Sequence, residues 1–403
     1  MQGQATMAGG AAVAKQAIPR GVVALGLVSL FTDLGSEMVH SLLPVFLVGT
    51  LGASALLVGL IDGLAEALAL LTKVFSGWIS DAVGRRKPLV LLGYGLAAAT
   101  KPLFPLAGSA AWVLGARLLD RLGKGIRGAP RDALLADITP PEVRGAAYGL
   151  RQSMDTLGAV LGPLAAIGLM LAFAGDVRTV LWFAVLPGIV AVAIVVFMVR
   201  EPERSAAAPR PRPPLSRAAL AQLGGSYWRI AWIGALLALA RGTEAFLVLR
   251  ASSLGVADTW VPLVMVGMSL VFTVVAWPAG RWSDRADRRH VLAIGLALLC
   301  VADLVLALAD GWLALGAGVA LWGAHMGFTQ GVFSAFVADA APGPLRGTAF
   351  GIFNLLQGLA ILVAGVAAGL AMDRFGAAAP FWIGAGLSLL ALPLVALLPA
   401  QRR

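Results

Sequence analysis

Gly77-Trp78-Ile79-Ser80-Asp81-Ala82-Val83-Gly84-Arg85-Arg86-Lys87 returns at an offset of 203 as Gly280-Arg281-Trp282-Ser283-Asp284-Arg285-Ala286-Asp287-Arg288-Arg289-His290. A second group, Ala136-Asp137 with Arg144-Gly145 and Gly149, returns as Ala338-Asp339 with Arg346-Gly347 and Gly351, at an offset of 202. Nearly equal offsets at two separate places mark a duplicated unit. Both copies of the short polar stretch lie between long apolar runs, so the unit is a set of membrane helices joined by basic turns.

The composition agrees. Of 403 residues, 59% are hydrophobic and 13% charged, where a soluble domain carries about a quarter charged residues. That argues against a soluble enzyme. The 49 glycines and 22 prolines suit packed membrane helices, in which small residues let backbones approach. The single cysteine, Cys300, excludes a disulfide framework, a thiolate metal cluster and a Cys-x-x-Cys redox pair.

Apolar stretches long enough to cross a bilayer run over 21–49, 54–79, 88–107, 110–137, 144–173, 178–199, 228–249, 256–280, 290–309, 312–339, 346–371 and 378–399. They do not alternate apolar with polar residues and are twice the length of a barrel strand, so the fold expected is all-α with twelve transmembrane helices. Basic residues in the connections gather on one face, among them Lys15, Arg20, Arg85, Arg86, Lys87, Arg144, Arg200, Arg288, Arg289 and Arg346. The other face receives Arg178, Arg250 and Arg374. The positive-inside rule then puts both termini in the cytoplasm and accounts for most of the formal charge of +10 without nucleic acid. The expected organisation is a tail at 1–20, a six-helix bundle at 21–199, a basic Pro-rich linker at 200–227, a second bundle at 228–399 and a short tail at 400–403. Within the linker, Pro209, Pro211, Pro213 and Pro214 interleave with Arg210 and Arg212.

The first repeated stretch, Gly77-x-x-x-Asp81-x-x-Gly84-Arg85-Arg86-Lys87, resembles the signature loop of the major facilitator superfamily of secondary transporters. Arg117 followed by Gly123 and Gly125 resembles that superfamily's second motif. Gly149, Gly158, Gly162 and Pro163 follow the spacing of its antiporter motif, with Ala166 and Ile167 where that pattern ends in glycines. The resemblance spans the whole chain. It implies two six-helix pseudo-repeats that alternate access, with helices 1, 4, 7 and 10 lining a cavity and 2, 5, 8 and 11 flanking it. It also points to the proton-antiporter, efflux branch.

Physics supports a latch in the repeated loops. Asp81 near Arg85, Arg86 and Arg144, and Asp284 near Arg288, Arg289 and Arg346, place a carboxylate among arginines where helices must part and rejoin. Inside the membrane an ionisable group costs on the order of 3 kcal/mol, so each one there is a functional candidate. The first span carries Asp33, Glu37 and His40 on one face, the second Asp62 and Glu66, and the fourth a stripe containing Arg117, Asp120, Arg121, Lys124, Arg127 and Arg131. Arg151 and Asp155 follow in the fifth. The second half adds Arg241, Glu244, His325, Asn354 and Gln357. Pairs such as Glu37 with Arg117 or Asp155 with Arg121 would pack helices; as a set, the charges exceed what packing needs.

Two carboxylates close together in a low dielectric do not both ionise, which makes Asp33, Glu37, Asp62 and Glu66 the proton-coupling candidates. Arginine does not titrate and attracts anions, which makes Arg117, Arg121, Arg151 and Arg241 substrate-binding candidates. Asp155, Glu244, His325, Asn354 and Gln357 join that set. The expected partners are protons, a small organic substrate bearing an anionic group, and the lipid bilayer, with a monomer in a bacterial inner membrane as the working unit. No Gly-x-x-x-x-Gly-Lys loop is present, so neither ATP nor another cofactor is expected. A second reading, a divalent metal carrier using the acids of the first two spans, is opposed by the arginines beside them.

Overall fold

The computed structural model describes residues 18–201, 220–342 and 345–399. The expected tails and most of the expected linker lie outside the described residues, and so does the side chain of Asp81.

The described residues fold into helices that group as twelve spans. They are α1 (Arg20–Val45, continued by a π-helical turn, Phe46–Thr50), α2 (Ala55–Val83), α3 (Lys87–Thr100, then a 3₁₀ turn, Lys101–Leu103), α4 (Ala110–Asp137) and α5 (Arg144–Ala172). Next come α6 in two pieces (Val177–Phe183 and Val185–Phe197), α7 in two pieces (α7a, Gly225–Arg241; α7b, Ala245–Ser253), α8 (Leu263–Arg285) and α9 (Arg288–Leu308). The series ends with α10 (Trp312–Ala340), α11 (Arg346–Phe375) and α12 (Ala379–Ala391, then Pro393–Leu397). Nine spans are long and apolar enough to cross a membrane by length and composition alone. The exceptions are α3, short before its 3₁₀ turn, α4, loaded with charge, and α10.

Local chemistry fixes the ends. Ser54 Oγ accepts from the Leu57 N–H at 3.3 Å and starts α2, and Gly84 ends it in the left-handed conformation (φ 72°) that favours glycine. In the second copy of the loop, Asp287 stands at the position of Gly84. There α8 ends at Arg285, and Asp287 instead caps α9, its carboxylate accepting from the Arg289 N–H at 3.0 Å. On the opposite face Arg250 satisfies the last carbonyls of α9, donating to Leu306 O (2.9 Å), Ala307 O (3.2 Å) and Ala309 O (2.7 Å).

In the first half α1 packs on α5, and α2 and α3 on α4. In the second, α8 and α9 pack on α10, and α7a on α11 and α12. The halves meet along α2–α11 and α5–α8, and α7b also reaches α1 and α2. The α2–α11 seam is backbone on backbone: a Cβ on either Gly59 or Gly365 would collide with the other's carbonyl oxygen. The motif glycines of α5 do the same for α1, since a Cβ at Gly162 would stand 2.6 Å from Leu34 O.

Candidate functional site

The acids of α2 and the arginines of α4 are each one turn apart and meet rung by rung. Arg117 Nη2 donates to Asp62 Oδ1 at 2.9 Å, and Arg121 Nη1 to Glu66 Oε1 at 3.0 Å. The pairing of Glu37 with Arg117 is therefore corrected, because α2 rather than α1 turns its acids toward α4. Behind them Arg121 Nε lies 3.3 Å from Asp120 Oδ2, and Asp120 also accepts from Lys101 Nζ at 3.0 Å. Lys101 donates in addition to Ser36 Oγ at 3.0 Å and is 2% exposed. On α1, His40 lies between Glu37 Oε2 (3.3 Å) and Asp62 Oδ1 (3.8 Å). Burial strengthens each of these charge-assisted contacts and raises the cost of removing one partner.

These groups form one wall of a cavity of about 240 Å³ whose lining includes Glu37, His40, Asp62, Glu66, Arg121, Lys124, Arg241, Thr243 and Glu244. A second chamber of about 270 Å³ shares Glu66, Arg241 and Ile361 with the first. It extends to Gln330, Phe333, Ser334, Phe353, Asn354 and Gln357, toward the basic ends of α7a, α10 and α11. At the opposite end α7b lies against α1 and α2.

Helix α7 breaks inside this cavity. Gly242 adopts φ 65°, ψ −144°, a conformation that side chains resist, and the chain restarts at Ala245. Apolar sequence resumes on both sides of the short polar step Arg241–Glu244, which is why the sequence reads as one unbroken span. The break sets Arg241 and Glu244 on the cavity wall, and among the described residues neither side chain enters a hydrogen bond or ion pair.

Other expected site residues lie elsewhere. Arg117 is 1% exposed behind Asp62 and reaches the cavity only through it. Arg151 bonds Asp155 at 2.7 Å, and Arg131 comes to 4.0 Å of Asp155, in a second cluster between α4 and α5 that borders neither chamber. Asp155 thus takes Arg151, its own-helix neighbour, and not Arg121. His325 is fully buried, donating from Nδ1 to Gly295 O at 2.8 Å where α10 crosses α9. Asp33 is half-buried on α1 beside Gly158. Sequence reading missed Lys101 and Thr243 and named Lys124 only as part of the α4 stripe; a lysine inside an apolar run was the available signal for the first. No three His, Cys, Asp or Glu side chains among the described residues converge as a metal site, which weakens the metal-carrier reading.

At the basic face Arg86 pairs with Asp137 at 3.1 Å, its backbone N–H also meets Glu201, and Arg144 donates to Thr139 O at 3.3 Å. Arg85 is exposed. The second-half arrangement differs from expectation. Arg288 pairs with Asp339 and Arg289 with Asp287 at 2.6 Å, while Asp284 and Arg346 are exposed. The cause is the cap: Asp287 occupies the turn and captures the arginine that Asp284 was expected to hold.

Two sets of membrane helices closing on a polar, charged cavity define a multi-pass membrane transporter. The chain belongs to the Major Facilitator Superfamily, whose sequence model matches residues 25–255 and 236–403; members bind small-molecule substrates within the membrane. It is 29% identical over 361 residues to an uncharacterized MFS-type transporter of Methanocaldococcus jannaschii, covering 87% of this chain and 88% of that one. Over 137 residues, 34% of each chain, it is 37% identical to the multidrug resistance protein MdtH of Edwardsiella ictaluri. The nucleoside transporter NupG shares the fold at a TM-score of 0.78 and 13% identity, over 94% of this chain and 99% of that one.

Proposed function

We propose that this protein is a proton-coupled antiporter that exports a small organic substrate bearing an anionic group from a bacterial cytoplasm, working as a monomer with both termini cytoplasmic. The observation that carries the reading is Arg241, a cavity-lining guanidinium without a carboxylate partner among the described residues, facing a wall where Asp62 and Glu66 are already paired. A substrate anion takes Arg241, and Asn354 and Gln357 supply hydrogen bonds in the adjoining chamber. Protonation of Glu66 or Asp62 weakens its hold on Arg121 or Arg117, and the freed guanidinium changes partner as the halves rock. Asp33 and Glu37 on α1 extend that acidic path.

The chambers lie toward the basic face with α7b across the other end, which suits loading from the cytoplasm. Export is further supported by the partial likeness to a multidrug resistance protein. The latch at Asp81, Arg85, Arg86 and Arg144 belongs to the same cycle as the element that holds one state. The test is transport in proteoliposomes with and without an imposed pH gradient, using a panel of organic anions and cations. Glu66→Gln is expected to abolish pH-driven transport while sparing exchange of substrate across the membrane. Transport of cations alone, or pH-driven transport at the wild-type rate in Glu66→Gln, would overturn the reading.

A further inference from the structure

Asp303 on α9 is a buried carboxylate that the proposed cycle does not use. It is 3% exposed, and among the described residues its Oδ2 has no hydrogen-bond partner. An ionised carboxylate in such surroundings costs several kcal/mol unless something positive meets it.

Within the mostly apolar cavity that it lines, two other oxygens lack a hydrogen-bond partner. The break in α7 leaves Ala240 O without the N–H that an unbroken helix would supply four residues on; among the described residues no backbone group donates to it. Gly384 on α12 shows how these atoms face each other: a Cβ there would collide with Asp303 Oδ2 and come within 3.0 Å of Ala240 O. The carboxylate and the orphaned carbonyl therefore converge on one glycine-wide gap. Thr243, just past the break, adds a hydroxyl oxygen that is buried and unpartnered. Ala240, Thr243, Asp303 and Gly384 all line one cavity of about 190 Å³, whose Arg241–Thr243 wall is also a wall of the polar chamber.

A carboxylate oxygen and a carbonyl oxygen that face one another with no bonded donor call for a cation, and the Thr243 hydroxyl can turn its lone pairs to the same ion. A carboxylate, a hydroxyl and a carbonyl at a half-helix C-terminus are hard oxygen ligands, and a single carboxylate balances one positive charge. We propose that Asp303, Thr243 Oγ1 and the Ala240 carbonyl form a site for a monovalent metal cation of the sodium type, at the break in α7 and outside the acid–arginine wall. Occupancy ties α9 to both sides of that break, so the ion fixes the angle between α7a and α7b. The site rests on none of the groups assigned to substrate or protons above.

The probe is sodium itself. The purified full-length protein is melted in sodium chloride, potassium chloride or choline chloride at equal ionic strength, without substrate or pH gradient, so the outcome does not depend on the transport reading. Sodium is expected to raise the melting temperature saturably above choline. Thr243→Val, which removes one ligand and keeps the shape, should weaken the apparent sodium affinity about tenfold. Asp303→Asn should abolish the response, and in choline it should melt no lower than the wild type, because it removes an uncompensated buried acid. Equal melting in sodium and choline overturns the site, as does a sodium response that survives Asp303→Asn, or survives Thr243→Val at full affinity should Asp303→Asn fail to fold. A wild type that responds to pH alone, with that response lost in Asp303→Asn, identifies Asp303 as a proton carrier and equally overturns the metal ion.

Discussion

Aligned at the repeat's own offset of 202, Lys101, Arg117, Asp120 and Arg121 of the first half correspond to Asp303, Val319, Trp322 and Gly323 of the second. In the first half these positions are ion pairs: Lys101 with Asp120, Arg117 with Asp62, Arg121 with Glu66. In the second the same places in the fold hold an acid without a base and a buried tryptophan. Of the charges in that half, Arg250 is satisfied by carbonyls, while the side chains of Arg241, Glu244 and Asp303 have no hydrogen-bonding partner among the described residues. The duplicated scaffold thus supports two electrostatic arrangements. At these positions one half holds its charges in pairs and resists change, and the other leaves Arg241, Glu244 and Asp303 open to whatever enters the cavity. A buried pair is costly to break and gains little from a newcomer, while a lone buried charge gains much.

The largest effect that would break this contrast is expected at Arg117. Arg117→Ala strands Asp62 in the membrane interior and should cost about 3–5 kcal/mol, seen as a severe loss of folded protein in thermal or denaturant unfolding. A variant of unchanged stability would show that the first-half pairs are dispensable. Next comes Arg241→Gln, which breaks no hydrogen bond or close ion pair among the described residues. It should leave unfolding unchanged but weaken binding of an anionic substrate about 100-fold, or about 2.7 kcal/mol, in a ligand-induced melting shift. Should Arg241→Gln destabilise the unliganded protein as Arg117→Ala does, the two halves are alike after all.

A smaller effect sharpens the comparison. Replacing Lys101 and Asp120 together by Met and Leu should cost under about 1.5 kcal/mol, while either change alone costs more than the pair, because the penalty lies in leaving one charge unmatched. The smallest is at the surface. The Arg289 side chain and backbone N–H hold the Asp287 carboxyl below its usual range. That contribution is full above the ordinary carboxylate range and is lost as pH falls through the lowered value. Melting curves taken from neutral to acid pH should fall less steeply for Arg289→Gln than for the wild type, by a margin limited by solvent screening.

Much of this fold was legible because its signals are local. Apolar length, basic turns and a duplicated loop need no knowledge of neighbours, and the superfamily follows from them. The cavity was legible only by helix: spacing put each pair of charges on one face of its own helix, and Glu37, Asp62, Glu66, Arg121, Arg241 and Glu244 line one cavity. Which acid meets which arginine depends on how α2 and α4 are rotated, and no single helix states that. His325 looked like a cavity residue because it is polar on α10, yet it faces α9 and bonds a carbonyl. The break at Gly242 is hidden for another reason: a glycine in a short polar step, Arg241 to Glu244, between two apolar stretches reads as part of one span until its backbone angles are known.

The bare contact between Gly59 and Gly365 sets a lever. Gly59 lies four residues from the start of α2 at Ala55 and twenty-four from its end at Val83. At 1.5 Å per residue the two arms are about 6 Å and about 36 Å. A rocking motion that turns about this contact moves the basic ends of the helices roughly six times as far as the opposite ends. Bulk added at Gly59 or Gly365 would by the same leverage spread the basic ends of α2 and α11 far more than their opposite ends.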